Sequence, residues 1–243
     1  MRSPLTVAHR GYSAIAPENT LAAVEAALRS GAEYVEIDVH STADGVPVVV
    51  HDATVDRTTD GTGEVASLTS GYVTGLDAGA WYSPVYAGQR VPTLDQVLDL
   101  LAPSHALLLL EVKGPRTRAD VARIVETVMS RGLADRVLLQ SFDEQVLHDA
   151  RELAPELRRA LLRDELDPDP VAAAKAVGAV SYNPYIPAVL GRPDVVAELN
   201  AAGLGCMVFT VDEPEHWRAL TDLGVDAIIT NRPAALRGWL SQP

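Results

Sequence analysis

Short apolar, β-branched runs alternate with helix-like patterns along the whole chain of 243 residues, and this alternation limits its fold more than any other feature. Strands separated by helices predict parallel βαβ units. The candidate strands, nine in all, are residues 5–8, 34–39, 46–50, 106–112, 137–141, 158–162, 180–182, 206–211 and 227–230.

Helix signals fill the gaps between these runs. Asn19 is the expected N-cap of a helix over 20–29 that Gly31 ends, and Thr93 with Gln96 forms a capping-box pattern ahead of residues 97–101. The remaining candidate helices are residues 120–131, 144–153, 170–176, 193–202, 214–223 and 233–240.

Nine strands are one more than an eight-stranded barrel needs. Only six residues separate Val39 from Val46, whereas a parallel crossover needs about a dozen, so this connection must be a hairpin. The run 46–50 then becomes an antiparallel arm, and eight parallel strands remain. The pattern therefore favours a single (β/α)₈ TIM barrel over residues 1–243, with a doubly wound sheet as the alternative.

Residues 52–92 form a long gap in the alternation of strands and helices. Connections of more than about 15 residues are usually functional or disordered. Trp81, Tyr82 and Tyr86 argue against disorder. We interpret the segment as an insertion after strand 2 that caps the C-terminal mouth of the barrel, where active sites lie. The alternative is an insertion without a function.

Strand periodicity places carboxylates inside the predicted barrel. Glu36 and Asp38 share one face of their strand while the apolar residues share the other, and Glu111 and Lys113 alternate in the same way on the next barrel strand. Three converging carboxylates favour a hard divalent cation, Mg²⁺ or Ca²⁺. The alternative is a structural ion pair with Lys113 or Arg10.

Two of the six histidines fall at the same mouth. His9 follows the first strand, directly before Arg10, and His51 ends the hairpin arm, where we expect it roughly opposite Glu36. Two imidazoles beside a cation site, Arg10 and Lys113 suit a phosphodiester, because one ring can accept a proton while the other donates one. The other histidines are expected at the surface: His40, His105, His148 and His216.

Composition excludes several classes of protein. A hydrophobic content of 47% excludes intrinsic disorder, and one cysteine, Cys206, excludes a disulfide framework. The net charge of −13 disfavours nucleic acid and anionic membranes as partners. Because the first residues lack a signal-peptide pattern, we expect a cytoplasmic protein without stable membrane insertion. A homo-oligomer stays open.

An ordered set of motifs covers nearly the whole chain. The motifs are His9-Arg10-Gly11, Pro17-Glu18-Asn19-Thr20, Glu36-Ile37-Asp38-Val39, Asp44-Gly45-Val46-Pro47-Val48-Val49-Val50-His51-Asp52, Arg57-Thr58-Thr59 with Gly61 and Gly63, Leu76-Asp77-Ala78-Gly79, Val91-Pro92-Thr93-Leu94, Leu110-Glu111-Val112-Lys113, Gln140-Ser141-Phe142 and Ile229-Thr230-Asn231-Arg232-Pro233. Together they resemble the glycerophosphodiester phosphodiesterase family.

This resemblance implies a TIM barrel with an insertion after strand 2 and one divalent cation. It also implies cleavage of glycerophosphodiesters, such as glycerophosphocholine, to glycerol 3-phosphate and an alcohol. By motif, His9 and His51 correspond to the acid–base pair and Arg10 and Lys113 to the phosphate contacts. The metal ligands by the same correspondence are Glu36, Asp38 and Glu111.

The chain departs from the family pattern at a few positions. Phe209 stands where tryptophan is frequent and would cover the glycerol carbons, with a plain core role as the alternative. Asn231 stands where aspartate is usual, with a helix cap as the alternative, and Tyr72-Val73 replaces an acidic residue followed by leucine. These departures bear on the preferred alcohol.

Three other functions stay open from the sequence. The first is phospholipase D-like cleavage of lysophospholipids or sphingolipids, which could run through a cyclic phosphate. The second is a metal-dependent aldolase or lyase, which would not need two histidines beside Arg10. The third is a catalytically inactive barrel that only binds a ligand.

Overall fold

The computed structural model describes residues 3–114 and 116–242, and nine strands form one sheet within them. Eight of the strands pair in parallel, and the pairing of the first with the last closes the sheet into a barrel. The expected (β/α)₈ TIM barrel is confirmed. The strands are β1 Leu5–Ala8, β2 Tyr34–Ser41, β3 Pro47–Val49, β4 Leu107–Val112, β5 Val137–Ser141, β6 Arg158–Arg163, β7 Ser181–Pro184, β8 Gly205–Val208 and β9 Ala227–Thr230.

Strand β3 is the antiparallel hairpin arm that the short connection predicts. Its ladder on β2 pairs Val39 with Val49 and is symmetric about Asp44. The ladder ends two residues before His51, and its register, if continued, would set His51 across from Ile37. The expected pairing with Glu36 is therefore wrong by one residue, because the turn is centred one half-position later than we assumed.

Each barrel strand is followed by at least one helix before the next barrel strand. The helices are α1 Leu21–Ser30, α2 Ser70–Val73, α3 Leu94–Leu101, α4 Arg118–Ser130, α5 Glu144–Leu153, α6 Pro170–Ala176, α7 Ile186–Gly191, α8 Asp194–Ala201, α9 Pro214–Leu223 and α10 Pro233–Leu240. Short 3₁₀ turns occur at Val65–Ser67, Pro84–Tyr86 and Ala134–Arg136. In the described part of the chain, no helix combines the length and apolar content that crossing a membrane requires.

Helix α1 begins differently from the prediction. Thr20, not Asn19, is its N-cap and accepts a hydrogen bond from the Ala23 amide. Asn19 has a left-handed backbone (φ 58°), and its side chain bonds to Asp38 instead. The expected end at Gly31 and the capping box of Thr93 with Gln96 are both confirmed.

The barrel buries two apolar layers, one outside and one inside. Val35, Ile37 and Val39 pack with the helices in the outer layer, as their alternation predicts. The interior is filled by an apolar cluster near the start of the strands: Val7, Tyr34, Leu109, Leu138, Ala160, Met207, Ala227 and Ile229. Tyr34 and Leu109 share strand faces with Glu36 and Glu111, so the carboxylates lie one layer above this plug.

Residues 52–92 are ordered and have an apolar centre of their own. Val55, Val65 and Val73 are fully buried there against Val48 and Val50 of the hairpin arm. Two isolated bridges, Thr54 with Glu64 and Asp77 with Arg90, hold the segment together. The rings of Trp81, Tyr82 and Tyr86 pack edge to face, with centroids 5.7 Å apart in each neighbouring pair.

Candidate active site

The three predicted carboxylates lie together at the mouth of the barrel. Glu36 and Asp38 come from β2, and Glu111 comes from β4, where it stands opposite Asp38. All three are buried, and one carboxylate oxygen from each lies within 4.8 Å of the others. This separation suits a single cation bound by all three groups.

Two cations and one side-chain amide contact the same carboxylates. Lys113 Nζ lies 3.1 Å from Asp38 Oδ1 and 2.6 Å from Glu111 Oε1, and Arg10 Nε lies 3.4 Å from Asp38 Oδ2. The Asn19 amide also donates to Asp38. Burial opposes ionisation of Asp38, but Lys113 and Arg10 outweigh it and hold the pKa of this carboxyl well below its usual range.

At Glu36 and Glu111 the nearby cations do not outweigh the effect of burial. Burial, followed by repulsion from Asp38, raises the pKa of Glu36 well above its usual value and that of Glu111 to about 7. Glu36 Oε1 is also buried without a hydrogen-bond partner. A buried acceptor without a donor is costly, and a divalent cation would supply the missing partner. The donor set consists of carboxylate oxygens and therefore fits Mg²⁺ or Ca²⁺.

The loop after β1 is packed tightly enough to aim its donors at this cluster. Arg10 has a left-handed backbone (φ 53°), and its amide donates to Glu36 Oε2 over 2.7 Å. Gly11 is also left-handed (φ 77°), and a Cβ on it would lie 2.5 Å from the Ala23 carbonyl carbon. A larger residue at position 11 would therefore push the loop away from the carboxylates.

His9 is held in one tautomer by a chain of hydrogen bonds. Its Nδ1 lies 2.8 Å from Asn231 Oδ1, and Asn231 Nδ2 donates to Asp212 over 2.7 Å. The amide orientation is thereby fixed, since Asp212 can only accept from Nδ2. His9 Nδ1 must then carry the proton, which leaves Nε2 as an acceptor. Burial, helped by Arg10, lowers the pKa of His9 to about 4, so the ring is neutral near pH 7.

His51 has a carboxylate partner instead of an amide. Its Nδ1 lies 2.6 Å from Asp52 Oδ1, and Asp52 in turn accepts two hydrogen bonds from Arg57. A carboxylate at Nδ1 fixes the orientation and the tautomer of the ring. The two histidines therefore differ in partner, with the neutral ring beside Asn231 and the carboxylate-paired ring beside Asp52.

His40 is not the surface residue that we expected. It is 4% exposed, and its Nε2 lies 3.0 Å from the carbonyl oxygen of His51, while Arg116 contacts its Nδ1. Burial lowers its pKa to about 4. Its position on β2, two residues after Asp38 on the same face, could have indicated burial. His105 is exposed as expected.

Two cavities open at the mouth, and each is lined by one of the two predicted catalytic histidines. The first has a volume of about 660 Å³ and is lined by His51, Glu111, Lys113 and Phe142 among others. The second has a volume of about 510 Å³, and its lining includes the polar side chains of His9, Arg10, Ser13, Asp212, Asn231 and Arg232.

Phe209 lies among other aromatic rings at the mouth. It follows β8 and packs on the interior apolar cluster. Its ring centroid is 5.9 Å from that of Phe142 and 5.6 Å from that of Tyr185, and both of these neighbours are exposed. Because β7 and β8 lie across the barrel from β2, Tyr185 and Phe209 form an aromatic side of the mouth opposite Glu36. Phe142 follows β5, which pairs with β4, and lines the same cavity as Glu111.

Several residues that shape the site were not assigned a role from the sequence. Asn231 is not a helix cap, since Arg232 caps α10 and the Asn231 amide bonds to His9 and Asp212. Asp52 and Arg57 belong to motifs that carry the family resemblance, but no local pattern reveals that they bond to each other. Position within a recognisable motif was the only signal available for them.

Comparison with known proteins agrees with this geometry. Residues 9–235 match the model of the glycerophosphoryl diester phosphodiesterase family. A glycerophosphodiester phosphodiesterase of Caldanaerobacter subterraneus subsp. tengcongensis is 35% identical over 234 residues, which cover 96% of each chain. A putative relative from Bacillus subtilis is 33% identical over 229 residues, covering 93% of this chain and 94% of that one.

Solved structures show the same likeness. A phosphodiesterase of Oleispira antarctica, determined with the product sn-glycerol-3-phosphate, has a TM-score of 0.93 at 28% identity and covers 99% of this chain and 98% of its own. The glycerophosphodiester phosphodiesterase of Agrobacterium tumefaciens has a TM-score of 0.86 at 35% identity, covering 97% of this chain and 99% of its own. The chain therefore belongs to the glycerophosphoryl diester phosphodiesterase family.

Proposed function

We propose that this enzyme hydrolyses glycerophosphodiesters to glycerol 3-phosphate and an alcohol, with one divalent cation and with His9 and His51 as the acid–base pair. The observation that carries the proposal is the placement of two differently partnered imidazoles around one buried group of three carboxylates. The product complex of the Oleispira antarctica relative supports the same class of small-molecule substrate.

Glu36, Asp38 and Glu111 would hold the cation, Mg²⁺ or Ca²⁺. When bound, such a cation polarises the phosphoryl group and neutralises negative charge on it. The buried, unpartnered oxygen of Glu36 and the raised pKa of Glu111 support this assignment. The structural ion pair considered as an alternative accounts for Asp38 and Glu111, which contact Lys113, but leaves Glu36 Oε1 without a partner.

Arg10 and Lys113 would bind the nonbridging phosphate oxygens. Both lie against the carboxylate group, so an anionic diester that reaches the mouth meets their positive charges despite the net charge of −13. Phe209 would cover the glycerol carbons from the aromatic side of the mouth, where it packs between Phe142 and Tyr185.

The two histidines would move the protons. His9 Nε2, unprotonated in the neutral ring, takes the proton of the attacking hydroxyl as the new P–O bond forms. His51, stabilised by Asp52, gives its proton to the oxygen of the leaving alcohol as the old P–O bond breaks. The attacking hydroxyl is either water or the free hydroxyl of the glycerol, and the second choice gives a cyclic phosphate that water opens later.

A product assay separates this proposal from its alternatives. Purified protein is incubated with glycerophosphocholine, glycerophosphoethanolamine, a lysophospholipid and sphingomyelin, and the products are followed by phosphorus NMR. We expect glycerol 3-phosphate from the first two. A cyclic phosphate from the lipids alone would favour the phospholipase D-like alternative. No glycerol 3-phosphate from any headgroup would contradict the proposal.

Other features of the account stay predictions of the sequence. Residues 52–92 would cap the mouth, and the ion pair of Arg57 with Glu18, in the loop after β1, supports that role. The single domain over residues 1–243, the cytoplasmic location, the lack of nucleic-acid partners and a homo-oligomer likewise stay predictions.

A further inference from the structure

We propose that Arg57 is a positioning residue for catalysis, which holds Asp52 so that His51 keeps the orientation needed to protonate the leaving alcohol. The proposal rests on the role proposed above for His51. Arg57 lies in the segment 52–92, outside the strands and the carboxylate group, and its guanidinium bridges Asp52 and Glu18, which lies in the loop after β1.

The guanidinium makes four hydrogen bonds to two carboxylates. Nε and Nη2 donate to the two oxygens of Asp52 over 2.7 and 3.0 Å. Nη1 and Nη2 donate to the two oxygens of Glu18 over 3.0 and 2.8 Å. This double bidentate arrangement fixes both carboxylate planes, which one lysine ammonium could not do.

Each carboxylate then contacts a group of the proposed site. Asp52 Oδ1 accepts from His51 Nδ1 over 2.6 Å, and Glu18 Oε1 accepts from Arg10 Nη1 over 2.8 Å. Without the guanidinium, Asp52, whose side chain is 30% exposed, would keep a single side-chain partner, His51. Its carboxylate could then rotate away, and the His51 ring would lose the partner that fixes its tautomer.

A purely structural role is the main alternative. Arg57 joins residues 52–92 to the loop after β1, so its removal could simply loosen the insertion. Arg90 offers a matched control, since it is also an exposed arginine of this segment and its guanidinium donates to the backbone carbonyl of Gly75. Its hydrogen bond holds the insertion together without reaching a histidine.

The test compares two substrates that share the glycerol phosphate but differ in the leaving group. Choline is a poor leaving group that needs a proton, whereas 4-nitrophenolate leaves without one. A residue that acts through a general acid affects only the first ester, while a residue needed for folding affects both. The variants are Arg57→Gln, His51→Gln and Arg90→Gln in the full chain.

We expect Arg57→Gln to lower kcat on glycerophosphocholine about 10- to 100-fold. This is the range seen when a residue that hydrogen-bonds to a metal-binding side chain, and so orients it, is removed. Its loss on glycerophospho-4-nitrophenol should stay within about threefold, as for His51→Gln, and Arg90→Gln should match the native enzyme on both. Thermal unfolding, monitored by circular dichroism, checks that the two arginine variants are folded and equally stable.

Two results would overturn the inference: no loss on glycerophosphocholine, or an equal loss on both esters while His51→Gln discriminates between them. If His51→Gln lowered kcat equally on both esters, the result would instead contradict the proposed role of His51 as the general acid. The fault would then lie in the proposed function and not in the role of Arg57.

Discussion

Asp38 and Glu111 stand directly opposite each other on neighbouring parallel strands, and the Lys113 ammonium contacts a carboxylate oxygen of each. The pair shows how the barrel gathers charge: strands that are not consecutive in the chain place acids from separate motifs side by side. A lysine alone cannot partner all the oxygens, since Glu36 Oε1 remains buried without a donor.

Glu111→Gln should weaken the binding of Mg²⁺ or Ca²⁺ at least about tenfold, because an amide carries no negative charge toward the cation. Titration calorimetry measures the affinity. Glu126→Gln, on the exposed face of α4, is the control and should bind like the native protein. Unchanged affinity in Glu111→Gln would remove Glu111 from the metal ligands.

His9→Ala and His51→Ala should each lower kcat about 10²- to 10⁴-fold, which is the usual contribution of a general acid or base. His105→Ala, at an exposed position before β4, should change kcat by less than about twofold and serves as the control. Losses below tenfold in both site variants would exclude the two histidines from the proton transfers.

Asn231→Asp should lower kcat about tenfold or more, because the new carboxylate would face Asp212, which now accepts from the Asn231 amide. Adding Asp212→Asn should recover most of the lost kcat, because positions 212 and 231 then again hold one carboxylate and one amide. Steady-state kinetics of the two single variants and the double variant measure this coupling. Additive losses would show that Asp212 does not set the Asn231 orientation.

His40 should make stability depend on pH. Burial lowers its pKa to about 4, whereas the unfolded chain titrates near 6.5, so the unfolded state binds the proton first as pH falls. The contribution of neutral, buried His40 to the free energy of unfolding is therefore complete above pH 6.5, and it is lost as the pH falls from about 6.5 to 4.

Urea unfolding of the native protein and of His40→Gln at several pH values tests this dependence. The free energy of unfolding of the native protein, relative to that of His40→Gln, should fall by up to about 1.4 kcal/mol per pH unit as the pH decreases across that window. His105→Gln is the exposed control. A difference that does not vary with pH would contradict the effect.

The sequence predicted most of the barrel because the relevant signals are local. Alternation along β2 sorted Val35, Ile37 and Val39 from Glu36 and Asp38, and the outer and inner layers follow that division. Some helices begin at a different residue from the predicted one, because capping hydrogen bonds determine where a helix starts. Helix α4 begins at Arg118 because Thr117 and Asp120 form a capping box, two residues before the predicted start.

The partner of His9 and the link from Arg57 to Glu18 could not be predicted, because both depend on contacts between distant parts of the chain. His9 bonds to Asn231 across 222 positions, and Arg57 bonds to Glu18 across 39. No periodicity links such residues, and only closure of the barrel brings β1 beside β9. His40 was misjudged because we stopped the alternation of β2 at Val39, two residues before the strand ends.

Release of glycerol 3-phosphate from glycerophosphocholine, with and without EDTA, tests the central claim most directly. We expect native enzyme to release the product, EDTA to abolish the release, and added Mg²⁺ or Ca²⁺ to restore it, with no restoration in a Glu36→Gln variant. Full activity in EDTA, after the protein has been shown to be free of metal, would contradict a catalytic cation bound by these carboxylates.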